Sequence, residues 1–489
     1  MTRWIKYLLV VIFAWYAARA FMVSVVLHDG FDSQATGNQI KIEKIRAARG
    51  VILDKKGKTI ASNVEEGGEV VRYYPDGVPV ASIVGYVGDE GGVVGIEKYY
   101  DERLRGIDGN WQIIEDAAGR EISKKEIDVA VAGEVLKTNV DLDLQLFVYN
   151  VLNQRLLKTG KSSSVVVSRI DGRVEALVSL PSFDPNLFVK NGRRGAEGGT
   201  YTESKKVVAD EERKPLFNRA VQGSFAPGSV FKMVTALAAI SDGGVSKADL
   251  IDDDGEIVIG SYRYGNWLFD KYGRTEGQID LKRAIARSND IYFYRIGEKM
   301  GIDTLIKWAA KYGLGQKTGI DLPGETAGLL PTPLWQEKTK GERWFLGNTF
   351  HLSIGQGDLL TSPVQINRMT ASLFSNKLCQ LNLVNQGKCI DINANKTNLE
   401  AVWEGMRAAC QPGGTATPFF EFKNEIYCKT GTAQHGGEKT LPHAWFTAVL
   451  PMGEKIEDWL VITTLVEDGG EGSQVAAPIA YEIVARALK

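Results

Sequence analysis

Histidine is scarce in this chain. The 489 residues hold four, at positions 28, 351, 435 and 443, and none stands at a zinc-like spacing from a cysteine. No metal site and no cofactor are expected. Net charge is scarce as well: 58 basic residues face 60 acidic ones, a formal −2, which offers no basic surface for a nucleic acid. Cysteine is limited to Cys379, Cys389, Cys410 and Cys428. Four cysteines allow three pairings, and Cys379–Cys389 with Cys410–Cys428 is the expected one, because both close short loops. The acidic run Asp252-Asp253-Asp254-Gly255 lacks the spacing of a calcium loop and reads as a solvated turn.

What the chain does have begins at its N-terminus. Residues 7–27 are apolar apart from Arg19 and Ser24, and roughly 21 residues in a helix span about 30 Å. Arg3 and Lys6 precede the run, which favours a cytoplasmic tail over residues 1–6 and one transmembrane helix over 7–27. No small-residue cleavage site follows, so the reading is an uncleaved anchor. Arg19 in mid-membrane costs at least ~2.5 kcal/mol unless it reaches the headgroups or meets another helix. Beyond the anchor the compartment permits disulfides.

Ser229-Val230-Phe231-Lys232 is the single Ser-x-x-Lys of the chain and opens an apolar helical stretch. A spacing of three puts hydroxyl and amine on one face. A helix that is apolar all round is buried, so Lys232 is desolvated and its pKa lowered, which suits a base beside a serine nucleophile. Such a tetrapeptide arises by chance about once or twice in a chain of this length, so its companions decide. Ser288-Asn289-Asp290 lies between a short capped helix over 280–285 and another over 291–300, at a junction where polar side chains can face a cleft. Lys-Thr-Gly occurs three times. Lys158-Thr159-Gly160 ends a helical run over 144–157, and Lys317-Thr318-Gly319 sits in glycine-rich loop chemistry. Lys429-Thr430-Gly431 instead continues a strand-like run from Glu425 and precedes a second strand over 443–450. The third copy is taken as functional.

These three elements are the set found in penicillin-binding proteins and serine β-lactamases. The chain resembles the class B penicillin-binding proteins, peptidoglycan D,D-transpeptidases, over nearly its whole length. Arg49-Gly50-Val51-Ile52-Leu53-Asp54 with Gly57 and Ala61-Ser62-Asn63 resembles one non-catalytic motif of that family. Gly95-Ile96-Glu97 with Tyr100, Leu104, Gly106 and Gly109 resembles another, and residues 138–145 resemble the start of the catalytic domain. Ser353-Ile354-Gly355-Gln356-Gly357 is similar to the elongation type rather than the division type.

The resemblance implies a β-rich pedestal over 28–136 and a transpeptidase domain over 137–489, an α+β fold with an antiparallel sheet and helices. Strand-like runs around 164–168 and 174–178 flank Asp171-Gly172, and another covers 458–466. Helical segments are expected from 229 to 300 and from 303 to 312, with a last helix over 475–488, and a loop over 191–206. It also implies roles. Ser229 attacks the penultimate carbonyl of a stem peptide ending in D-Ala-D-Ala, Lys232 takes its proton, and Ser288 relays that proton to the leaving amine. Lys429 and Thr430, with Gly431 and Thr432, hold the substrate, and the backbone N–H groups of Ser229 and Thr432 form the oxyanion hole. Asp290 stands where many relatives have Asn. A carboxylate beside Lys232 would raise its pKa and oppose a base, so Asp290 is expected to turn toward Lys429 or substrate, or to be protonated. Implied partners are peptidoglycan stem peptides, β-lactams as inhibitors, the cell (inner) membrane and a SEDS-type glycan polymerase. A β-lactamase, a β-lactam sensor and a silent scaffold of a wall-building complex are the competing readings.

Overall fold

The computed structural model describes residues 2–31, 40–66, 69–88, 90–116, 119–156, 159–189, 200–437 and 440–489. Lys158 of the first Lys-Thr-Gly copy, and residues 191–199 of the expected loop, lie outside them. The chain divides into two compact units, one from residues 1–50, 67–70 and 102–134, the other from 51–66, 71–101 and 135–489.

In the first unit the N-terminal helix Thr2–Phe21 continues as a π-helical turn, Met22–Val26. Among the described residues one helix, Arg3–Val26, is long and apolar enough to cross a membrane, and it is exposed throughout. The unit also contains an antiparallel three-stranded sheet of Ile40–Ile45, Gly109–Glu115 and Glu121–Asp128. Gly50 of the first resemblance motif is a close-approach point. A Cβ there would lie 1.9 Å from the Glu134 carbonyl oxygen, so only glycine lets the two backbones meet.

The second unit is built on a five-stranded antiparallel sheet. Its strands are β1 (Ser163–Arg169), β2 (Val174–Leu180), β3 (Tyr427–Ala433), β4 (His443–Leu450) and β5 (Leu460–Val466), in the order β2-β1-β5-β4-β3. All of β2, β4 and β5 is buried, because both faces are covered. Along β4, Trp445 and Val449 enter one core while Ala444, Phe446, Ala448 and Leu450 enter the other, as the strand period of two requires. Helices Leu142–Leu156 and Ala476–Ala487 close the second face. The first face packs α1 (Lys232–Ser241), α2 (Leu281–Arg287), α3 (Asp290–Met300), α4 (Pro363–Ser375) and α5 (Lys396–Ala409).

Two expectations change. The helical run from 229 to 300 is interrupted by four short strands, Ile251–Asp253, Glu256–Ile259, Tyr262–Gly265 and Gly277–Ile279. Gly260 at φ 62 with Ser261 makes a two-residue hairpin between the middle pair, a turn signal within the stretch expected to hold helical segments. The helix expected from Ser229 begins as a 3-10 turn, Gly228–Phe231, before α1. The expected disulfides are both present. Cys379–Cys389 joins the paired strands Lys377–Cys379 and Cys389–Asp391, and Cys410–Cys428 ties the end of α5 to β3.

Candidate active site

The nucleophile turn is pinned from two sides. Gly228 has φ 57, its N–H donates to the Gly355 carbonyl at 2.8 Å, and a Cβ on it would lie 2.7 Å from the Thr432 carbonyl oxygen. A Cβ on Gly355 would meet the Gly228 carbonyl oxygen at 2.2 Å. Gln356 Nε2 then donates to the Thr432 carbonyl at 3.2 Å, so the Ser-Ile-Gly-Gln-Gly segment bridges the turn and β3. A 3-10 turn has three residues per turn, which sets positions i and i+3 in line and stacks Ser229 over Lys232 more directly than an α-helix would. Ser229 is half-buried. Among the described residues its Oγ makes no hydrogen bond, and catalytic hydrogen bonds of this kind commonly tighten only with substrate.

Ser288 closes α2 in a left-handed conformation, φ 55 and ψ 38. For a residue with a Cβ that costs about 1–2 kcal/mol, and the surroundings hold it there. Its N–H and that of Asn289 bond back to Ile285 and Ala284, and Asn289 Oδ1 caps α3 by accepting from Tyr292 N–H at 2.9 Å. Helix end and helix start thus meet at the adjacent residues Ser288 and Asn289, which aims Ser288 Oγ inward.

Both lysines are completely buried. Lys429 Nζ donates to Ser288 Oγ at 2.8 Å and to the Thr430 carbonyl at 3.0 Å. Lys232 Nζ donates to the Ser288 carbonyl at 2.9 Å, to Ser288 Oγ at 3.5 Å and to Asp290 Oδ1 at 2.7 Å, and lies 5.2 Å from the Phe293 ring centre. Asp290 is therefore turned neither toward Lys429 nor toward the open cleft but onto Lys232, because its place in the first turn of α3 brings it beside that amine. Burial lowers the pKa of Lys232, opposed by the Asp290 charge and hydrogen bond. Lys429 has no carboxylate in contact among the described residues. Burial first, and then the charge of Lys232, push it well below the usual lysine value against a weaker pull from Asp290. Of the two amines, Lys232 is the one that the Asp290 carboxylate favours in its protonated form.

The strand contributes the remaining groups. Thr430 Oγ1 is 2.8 Å from Thr415 Oγ1, and Thr432 Oγ1 accepts from Gly472 N–H at 3.2 Å. A Cβ on Gly431 would meet Trp445 Cβ at 2.9 Å, Val230 Cγ1 at 3.0 Å and the Pro227 carbonyl oxygen at 3.1 Å. Glycine at that position is what lets β3 lie against the nucleophile turn. The structure thus brings Lys232, Ser288, Asp290 and Lys429 into direct contact and sets Gly431 against the turn that carries Ser229, with Thr430 and Thr432 on the same strand. The second Lys-Thr-Gly copy does structural work: Thr318 N–H and Oγ1 both donate to Glu325 Oε1 at 2.5 Å, while Lys317 is exposed.

The acidic run is not a solvated turn throughout. Asp253 is 3 % exposed and its carboxylate is surrounded by donors, one of them Asn289 Nδ2 at 2.7 Å. The spacing of Asp253 to Gly255, whose N–H donates to Asp253 Oδ1 at 3.0 Å, was the legible signal. Thr415, Asn266 and Trp267 carry no motif that could have marked them. Elsewhere, His435, His443 and Asp468 set three potential ligand atoms within 4.8 Å of one another. The two imidazoles are stacked 3.7 Å apart at 7°, so their in-plane lone pairs run parallel instead of converging, and Asp468 N–H already occupies His443 Nδ1. Burial lowers His443 to about 4.

Comparison with known proteins agrees with this geometry. Residues 162–485 match the family model of the penicillin-binding protein transpeptidase domain, and residues 64–138 that of the penicillin-binding protein dimerisation domain. A peptidoglycan D,D-transpeptidase MrdA of Haemophilus influenzae is 31% identical over 471 residues, covering 84% of this chain and 68% of that protein. PBP2 of Helicobacter pylori, in a complex with MreC, superposes with a TM-score of 0.78 at 25% identity, over 92% of this chain and 99% of that one. A chain from a structure on the coordination of polymerization and crosslinking by a peptidoglycan synthase complex gives 0.80 at 26% identity, over 99% and 97%. With its three motifs converging on one buried pair of lysines, the chain belongs to the family of penicillin-binding transpeptidases.

Proposed function

We propose that this chain is a serine-type peptidoglycan D,D-transpeptidase of the elongation type, and that Ser229, Lys232, Ser288, Asp290 and the Lys429–Thr432 strand carry the reaction. The observation that carries the reading is Ser288 Oγ held between two buried amines, 2.8 Å from Lys429 and 3.5 Å from Lys232. The terminal carboxylate of a D-Ala-D-Ala peptide, arriving at Lys429 and Thr430, raises the pKa of Lys429 by opposite charge. Lys429 then holds a proton and repels one from Lys232, which becomes the base. Ser229 Oγ attacks the penultimate carbonyl as its proton passes to Lys232. The oxyanion is held by the N–H groups of Ser229 and Thr432. As the C–N bond breaks, the proton travels through Ser288 to the leaving D-Ala amine, and an ester to Ser229 remains. The amine of a neighbouring stem peptide attacks that ester and gives its proton to Lys232; as the ester C–O bond breaks, Lys232 returns the proton to Ser229 Oγ and the crosslinked peptide leaves.

In this reading residues 28–136 are the pedestal and 137–489 the transpeptidase domain. The apolar N-terminal helix is a single anchor in the cell (inner) membrane, with the catalytic domain outside the cytoplasm. The Arg3 and Lys6 flank and the two disulfides support that orientation. A SEDS-type glycan polymerase is the expected partner, and similarity to a chain of a polymerizing and crosslinking complex supports it. Intact-protein mass spectrometry after addition of penicillin tests the reading. A stable adduct absent from Ser229→Ala is expected. An adduct that hydrolyses within seconds would favour a β-lactamase, and none on folded protein a scaffold.

A further inference from the structure

The reacting groups stand on a left-handed serine and on an aspartate at the start of α3, and neither position is held by its own neighbours alone. Asp253 Oδ2 accepts from Asn289 Nδ2 at 2.7 Å, from Asn266 Nδ2 at 2.9 Å and from Glu276 N–H at 2.9 Å. Its other oxygen accepts from Gly255 N–H at 3.0 Å. Asp253, Asn266 and Asn289 are 3 %, 0 % and 1 % exposed, so water cannot replace a lost partner. Asn289 is held at both ends, since its Oδ1 caps α3. Asn266 Oδ1 accepts from Asp290 N–H at 3.4 Å, and the next residue, Trp267, donates its N–H to Asp290 Oδ2 at 3.4 Å and its indole Nε1–H to the Arg287 carbonyl at 3.0 Å. The Ser288-Asn289-Asp290 turn is thus gripped before, within and after by two carboxamide residues and an indole, and both carboxamides converge on one carboxylate.

We infer that Asp253 is a positioning residue for the acyl transfer, acting through Asn266 and Asn289 to hold Ser288 between the lysines and the Asp290 carboxylate on Lys232. The four donors around Asp253 among the described residues are all neutral, so oriented dipoles and hydrogen bonds stabilise its carboxylate. It orients without touching substrate. The inference rests on the transpeptidase reading, and its test separates the two.

Acylation by a fluorescent penicillin, per folded molecule of the full chain in detergent, is followed against pH for the wild type, Asp253→Asn, and Asp253→Asn combined with Asn289→Asp. The single change keeps the shape but turns an amide donor toward groups that are themselves donors. The charged groups facing Lys232 are Asp290 and, across Ser288, Lys429. As Asp290 loosens, Lys232 loses its opposite charge and its protonated form is less favoured. The expected result is acylation slowed at least tenfold, with the ascending limb of the pH profile moved to lower pH. The double variant restores a donor–acceptor pair and should recover part of both effects. A variant that melts earlier yet acylates at the wild-type rate with the wild-type midpoint would overturn the inference. Should Asp253→Asn fail to fold, Asn266→Ala applies the same criterion, and an unmoved midpoint there overturns it too. Absence of acylation in the wild type would instead sink the transpeptidase reading.

Discussion

Asp290→Asn is the most direct probe of the proton arrangement. In the structure Asp290 Oδ1 sits 2.7 Å from a fully buried Lys232 Nζ, with the carboxylate side chain 15% exposed. Taking about 4 Å between charge centres and an effective dielectric of about 20, the attraction is about 4 kcal/mol, and it favours the protonated form of Lys232. Asparagine keeps an oxygen acceptor, worth about 1 kcal/mol net, so most of the attraction is lost and the pKa of Lys232 falls further. The base is active when neutral. Lowering its pKa therefore moves the ascending limb of acylation toward lower pH, while the plateau drops because a less basic amine is a weaker proton acceptor. Acylation rates between about pH 6 and about pH 10.5 would span the limb. An unmoved limb, or one displaced to higher pH, on folded protein would refute the idea that Asp290 holds the proton on Lys232.

Other outcomes follow from the same geometry. Ser288→Ala removes the one hydroxyl between the amines and should slow acylation by about 10²–10⁴-fold, the usual weight of a proton-transfer group, with little change in melting temperature. Gly431→Ala places a Cβ 2.9 Å from Trp445 Cβ and 3.0 Å from Val230 Cγ1. It should cost about 1–3 kcal/mol of stability, read by thermal unfolding, and slow acylation by displacing β3 from the nucleophile turn. Cys410→Ser opens the crosslink that ends one residue before Lys429. A loss of about 3 kcal/mol is expected, seen as a lower melting temperature that reductant no longer shifts through this bridge.

Much of the site could be read locally. The Ser-x-x-Lys spacing, the Asp280 and Asn289 caps, the strand context that singled out Lys429-Thr430-Gly431 and the two short disulfide loops all depend on neighbours within a few residues or on a strand's alternation. The helix over 291–300 and the strand over 443–450 appear as Asp290–Met300 and His443–Leu450 for the same reason. The hairpin at Gly260 is also local, a two-residue Gly-Ser turn inside a stretch where the sequence pattern suggests helical segments.

By itself, then, the sequence determined the chemical inventory: which serine, which lysines, which strand, and an apolar N-terminal helix. Only the tertiary structure decided the state of that inventory. Asp290 faces Lys232 across 58 positions of chain, Lys429 reaches Ser288 across 141, and Asp253 grips Asn289 across 36. A carboxylate's direction and a buried amine's protonation are set by which dipoles and charges surround them once solvent is excluded. No pattern of near neighbours carries that information, because the groups that supply the field are brought together only by the packed sheet and helices.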